Sequence, residues 1–148
     1  MWQKKISLVA VLFILFNVSF AQDIAGKWTT FDAKGKLTGE IELYLQNDLL
    51  YGKLTRAFLP DGTEVPDITC DGCIDGRDGQ KIVGMVILNG LAYNSKKEEY
   101  YGEKLCFSAM RNVLADGKIW LDKKDKDLVY MRGFMGPFYE TQKWKRVK

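Results

Sequence analysis

Between Leu37 and Gln46 every second residue is apolar or glycine: Leu37, Gly39, Ile41, Leu43 and Leu45 face one way, and Thr38, Glu40, Glu42, Tyr44 and Gln46 face the other. A period of two marks a β-strand that is wet on one side only. No stretch shows the roughly 3.6-residue periodicity of a long amphipathic helix. Further strands are predicted over residues 27–31, 50–58, 81–88, 100–110, 118–121, 128–134 and 139–147. Asp32-Ala33-Lys34-Gly35, Gln46-Asn47-Asp48, Ala115-Asp116-Gly117 and Lys123-Lys124-Asp125-Lys126 read as the turns between them. About eight short antiparallel strands in series form a meander, which removes its exposed edges most simply by closing on itself. The expected fold is therefore all-β, a single small up-and-down barrel.

The barrel does not begin at Met1. Lys4 and Lys5 form a basic n-region, Ile6 to Phe16 an apolar core, and Ser19-Phe20-Ala21 the small-x-small pattern ahead of Gln22. Residues 1–21 are read as a cleaved signal peptide. The apolar run is interrupted by Ser7, Asn17 and Ser19 and is shorter than the ~20 residues of a spanning helix. No cysteine follows the cleavage site to take a lipid anchor. What remains, residues 22–148, is 127 residues, the size of one domain. It is expected to be periplasmic or secreted, monomeric, and without a transmembrane anchor after cleavage. The signal carries two of the 22 basic residues and no acidic one, so the net charge of +3 falls to +1 on cleavage. Basic and acidic residues alternate, with only Lys143, Lys145, Arg146 and Lys148 forming a basic run, so nothing matches a nucleic-acid-binding stripe.

The chain contains no histidine, which removes Ser-His-Asp and Cys-His machinery. Phosphate-cradling glycine loops are missing as well. No catalytic residue is assigned and no cofactor is expected. Cys70-Asp71-Gly72-Cys73 admits a stapling disulfide, a redox couple or half a zinc site. Zinc fails for want of ligands, since the chain holds three cysteines, one of them Cys106 on a strand. The turn-rich run after Cys73 and the nearby Asp71, Asp75 and Asp78 disfavour a thiolate, so a disulfide fixing the loop is the main reading. A periplasmic thiol-disulfide redox role for Cys70 and Cys73 is the alternative. Asp67, Asp71, Asp75 and Asp78 raise the question of calcium. The EF-hand pattern fails, with Cys73 and Ile82 at the third and twelfth positions counted from Asp71, and aspartate beside glycine reads as turn chemistry.

Gly26-Lys27-Trp28 opens the first strand, while Trp144 and Arg146 share a face of the last. Closing the barrel brings an indole and a guanidinium together at the seam, favoured by cation–π attraction and apolar burial. Trp28, Trp144 and Arg146 are thus the predicted barrel-closing residues, and the arrangement resembles the closed end of lipocalin-like and avidin-like barrels.

Tyr51-Gly52-Lys53-Leu54, Cys70-x-x-Cys73 with Asp75-Gly76-Arg77 and Ile82-Val83-Gly84, Arg132-Gly133-Phe134-Met135-Gly136 and Thr141-Gln142-Lys143-Trp144-Lys145-Arg146 follow that opening motif. In this order they resemble the bacterial domain of unknown function 2147 across the whole mature chain. The resemblance implies an exported, lipocalin-like (calycin-like) barrel and no assigned activity. One departure is clear: the family's Asp-Pro turn before the strand at Lys118 is replaced here by the run from Ser108 to Gly117.

A barrel of eight strands is just wide enough to be packed by side chains or to hold one small ligand. Arg132, Gln142 and Glu140 are the candidate ligand-binding residues. Arg132 alternates with Tyr130 and Phe134; if that row faces inward, the charge needs an anionic partner, Glu140 or a ligand, and if not, it lies at the rim. The expected function is binding of a small or amphipathic ligand, or an accessory role in the envelope. The loop from Leu59 to Gln80, at one mouth, is the other place to look.

Overall fold

A computed structural model describes residues 23–74, 76–108 and 113–148. The predicted signal peptide, Asp75 and the stretch Ala109 to Asn112, including the predicted strand end at Met110, lie outside the described residues. The chain forms β1 (Gly26–Phe31), β2 (Leu37–Gln46), β3 (Leu49–Ala57), β4 (Val86–Asn94), β5 (Glu99–Ser108), β6 (Val113–Leu121), β7 (Leu128–Met135) and β8 (Phe138–Arg146). These eight strands close in chain order into an antiparallel barrel, β1 pairing with β8.

Local chemistry sets the tight connections. Gln46 pairs with Leu49, and Asn47 and Asp48 between them take φ of 51° and 63°. That two-residue turn has the twist a hairpin needs, and Asn and Asp tolerate the left-handed region better than most residues. At β6–β7, the Asp122 carboxylate accepts the backbone N–H of Lys124 at 2.8 Å and of Asp125 at 2.9 Å.

Two sequence-based boundaries are corrected. The strand expected at residues 81–88 is β4 at Val86–Asn94, because residues 81–85 finish a long connection that reaches β3 only through Gly84 and Met85 on Leu54. Ala115-Asp116-Gly117 is not a turn but lies within β6. Asp116 there pairs with Phe134 and accepts the Lys104 N–H opposite a bulge in β5, so polar turn-forming residues are spent on irregular pairing.

The inner face of β2 is as the alternation requires, with Gly39, Ile41 and Leu43 buried. Ile41 and Leu43 join Ile24, Trp28, Leu50, Leu88, Leu91, Tyr100, Leu105, Ile119, Val129, Met131 and Trp144 in the main core, to which each fully buried large side chain contributes about 1.5–3 kcal/mol. The 58–85 connection folds over the end at which β3 finishes, where Val65, Cys70, Ile82 and Met85 pack on Leu54, Ala57 and Cys106 in a second cluster. No helix among the described residues is long and apolar enough to cross a membrane.

Candidate functional site

Two of the three residues predicted to close the barrel, Trp28 and Arg146, meet at one end of it, while Trp144 stands in the cavity wall. Trp28 and Arg146 are direct partners across the β1–β8 seam, and the guanidinium carbon stands 4.3 Å from the indole centroid. Arg146 also donates to the carbonyls of Asp23, Ala25 and Lys126 and pairs with Asp127 at 3.2 Å. The Trp28 indole N–H donates to Ile24 O at 2.9 Å, so the short turn at Asp23–Ile24 is drawn over the floor with Ile24 fully buried. Gly26 is required twice. Its φ of +132° suits glycine, and a Cβ there would stand 3.0 Å from Arg146 Nη1.

Above this floor the barrel holds a cavity of about 600 Å³ that opens at the far end. Leu54, Leu88, Met131 and Trp144 form its deep apolar wall, and Asp32, Lys36, Phe138 and Glu140 stand among its outer lining. Polar groups inside are few and engaged with one another. The Thr30 and Thr38 hydroxyls share a hydrogen bond of 2.8 Å, with Thr30 buried, and the Trp144 indole donates to Gln142 Oε1 at 3.0 Å. The tip of the β7–β8 hairpin, Met135 and Phe138, is strongly exposed at the mouth.

The predicted site residues separate. Gln142 and Glu140 line the cavity, together with Trp144. Arg132 does not. Val129, Met131 and Gly133 are the buried residues of β7, so Tyr130, Arg132 and Phe134 face outward. There Arg132 donates to Thr141 Oγ1 at 2.8 Å and stacks over Tyr139 at 4.4 Å and Trp120 at 5.5 Å. Its partner is a hydroxyl and two rings, not the anion that an inward placement would demand. The aromatic row suggested the inner face because the inward row contains a glycine, which weakens the apolar pattern on that side.

Cys70 and Cys73 form a disulfide at the start of a turn in the 58–85 connection, with Cys70 buried. The neighbouring aspartates serve the loop. Asp67 pairs with Lys81 at 2.7 Å, Asp71 accepts from the Thr69 hydroxyl and Asp78 from the Gly72 N–H. Sequence reasoning missed Thr30 and Thr38, which look like ordinary strand residues, and a contact between Arg77 and Cys106 that only the folded loop creates.

Burial, with Tyr93 and Asp48 nearby, pushes the Tyr100 phenol up to about 12, in keeping with its place in the core near the floor.

The fold has solved counterparts. Protein HP1028 from the human pathogen Helicobacter pylori, described as belonging to the lipocalin family, superposes with a TM-score of 0.62 over 84% of this chain and 83% of its own, at 16% identity. A redesigned β-barrel matches with a TM-score of 0.52 over 86% of this chain and 95% of its own, at 13% identity. At such identities the likeness is one of fold. Nothing among the curated proteins matches the chain. The family model described as an uncharacterized protein conserved in bacteria (DUF2147) matches residues 26–146, from the glycine of the first strand to the arginine of the last. The chain is a lipocalin-like β-barrel and belongs to the DUF2147 family.

Proposed function

We propose that this protein is an exported, monomeric binder of a small amphipathic ligand, which it holds in the barrel cavity. The observation that carries the reading is the asymmetry of that cavity: about 600 Å³ with one end shut by Trp28 and Arg146, an apolar depth, and charged groups in the outer lining. A volume of this size, mostly apolar with a few polar groups, is the usual form of a small-molecule site. The apolar part of the ligand lies against Leu88, Met131 and Trp144, and its polar end meets Gln142, Glu140 and Lys36. With its oxygen engaged by Trp144, Gln142 offers the ligand its NH₂ donors. Export rests on the sequence of residues 1–21 and agrees with a disulfide, which persists in an oxidising compartment. Burial of Cys70 against Val65 and Ile82 favours the staple over redox exchange for that pair.

Native mass spectrometry of protein purified from its own host tests the reading, with a co-purifying small molecule as the expected result. In parallel, an amphipathic naphthalene-sulfonate probe is titrated while tryptophan fluorescence is followed, with Trp144→Phe showing how much of the quenching comes from the cavity wall. No retained ligand together with no saturable quenching sinks the proposal.

A further inference from the structure

The first and last strands stay together over a short stretch only. β1 and β8 pair at Trp28↔Arg146 and Thr29↔Lys145, and the Val147 N–H donates to Lys27 O at 2.9 Å. Past Thr29 the two strands part. The register of β1 slips between Thr30 and Phe31, and Phe31 pairs with Leu37 as the chain turns into β2. β8 is paired with β7 all the way to Phe138. From Phe138 to Trp144, then, β8 has one partner strand among the described residues.

Hydrogen bonds of an antiparallel strand alternate between its two sides. The Arg146 N–H points to β7, onto Asp127 O, and the Val147 N–H points to β1. By that alternation the N–H and C=O groups of Tyr139, Thr141 and Lys143 face away from β7, along an open edge. Such an edge is a template for another extended chain. Phe138 and Tyr139, at its start, are 76% and 63% exposed.

Charge decides which chain fits. Lys143, Lys145 and Arg132 lie on the outer face beside this edge, where Arg132 is held by Thr141 and Tyr139 and Lys145 stands over Phe31. None of the three forms an ion pair among the described residues. The carboxylates of this corner are turned elsewhere. Glu140 lines the cavity, Asp32 accepts the N–H groups of Lys34 and Lys36, and Asp122 accepts those of Lys124 and Asp125.

We propose that the β8 edge from Tyr139 to Lys143 is a docking site for an extended acidic segment of another polypeptide, which adds to the sheet as a further strand. Its backbone takes up the edge N–H and C=O groups, and its carboxylates meet Lys143, Lys145 and Arg132 outside. Its alternate side chains are apolar and lie on Phe138 at the cavity mouth. A lipid surface fits less well, since it would cover Phe138 and Tyr139 but leave the edge groups without partners. A second copy of this chain would bring its own Lys143 and Lys145 to the same face, like charge against like. The docking site stands apart from the cavity reading.

Amide exchange followed by NMR tests it, on the disulfide-intact protein, with the synthetic peptide Ac-Asp-Val-Asp-Val-Asp-Val-amide as probe and Ac-Lys-Val-Lys-Val-Lys-Val-amide as control. At millimolar acidic peptide, exchange at Tyr139, Thr141 and Lys143 should slow at least tenfold, with their shifts moving saturably. Lys143→Glu/Lys145→Glu should weaken the affinity at least tenfold. Thr141→Pro should do the same, because it removes an edge N–H and leaves the β7 ladder alone. If Thr141→Pro does not fold, the charge-reversed pair and the exchange map decide. No slowing at these amides, or equal binding of the basic peptide, overturns the proposal. So does flotation with phosphatidylglycerol–phosphatidylethanolamine vesicles that Phe138→Ser abolishes while the edge amides still exchange freely, which assigns the surface to a membrane. A dimer in sedimentation that Thr141→Pro dissolves assigns it to a second copy instead. Native mass spectrometry and probe titration without a ligand defeat the cavity reading alone.

Discussion

Arg146 lies across the ring of Trp28 at 4.3 Å, and the two residues are opposite each other at the seam where the first and last strands of the barrel meet. The same guanidinium donates to three backbone carbonyls, those of Asp23, Ala25 and Lys126. One side chain therefore joins the first strand, the last strand and the β6–β7 turn. Arg146→Ala removes the cation–π contact and strips those carbonyls of a charged donor, at a cost of about 2–3 kcal/mol. Urea unfolding followed by Trp fluorescence measures it. Arg146→Lys should recover only part, since an ammonium cannot reproduce the planar fork.

Gly39 faces the interior where β2 and β3 slip register. A Cβ placed there would stand 2.4 Å from the carbonyl oxygen of Arg56, which is backbone and cannot swing aside. Gly39→Ala should cost about 3 kcal/mol or more, the range of overpacking that the surroundings cannot relieve. Thermal unfolding followed by circular dichroism reads the loss, and a melting temperature equal to wild type contradicts the geometry.

The Cys70–Cys73 bridge closes a ring of only four residues. By chain entropy such a ring contributes about 2 kcal/mol, less than a long-range bridge. Cys70→Ser/Cys73→Ser should lower stability by roughly that amount and increase proteolysis within the 58–85 connection, leaving the barrel formed. Nicking elsewhere would show that the staple acts beyond its loop.

Ala115 lines the cavity from β6, the strand whose pairing with β5 is irregular. Ala115→Phe should fill part of the opening and weaken probe binding at least tenfold, with unfolding little changed because the added ring enters existing space. Unchanged probe affinity in a folded variant would place the binding elsewhere.

The Asp122 carboxylate accepts two backbone N–H groups, from Lys124 and then Asp125, which holds its pKa below the ordinary 3.8. A depressed folded-state pKa adds stability that is present above the ordinary value and lost as pH falls through the lower, folded value. Asp61, held down by the Thr63 N–H, and Glu64, held down by Arg56, act with the same sign. Asp122→Ala should therefore be less stable than wild type at pH 7, with the difference shrinking as the pH falls to about 2. Urea midpoints across that range measure it, and a constant gap would assign the effect to packing.

The strands could be read from the chain wherever apolar and polar residues alternate, as over Leu37–Gln46, because one wet face imposes a period of two. They were harder to place where pairing is irregular. Ala115-Asp116-Gly117 carries turn residues inside β6, and β4 starts late because the preceding residues belong to the long connection. Arg132 was ambiguous for a related reason: its row is aromatic on both sides, while the inward row is broken by Gly133. Side-chain parity shows which residues share a face but not which face is inside, and only the paired neighbours settle that.

By itself, then, the chain determined the class of fold and the Trp28–Arg146 pairing at its two ends, since alternation, turn chemistry and strand order are local or end-to-end properties. It determined the family too, through short motifs in a fixed order. Whether the barrel is filled or hollow was decided only in three dimensions, because a cavity is what the packing of eight strands leaves unoccupied. The same holds for Arg77 and Cys106. They stand 29 residues apart in the chain, and the folding of one long connection over the open end sets a buried guanidinium against a thiol in the cavity wall.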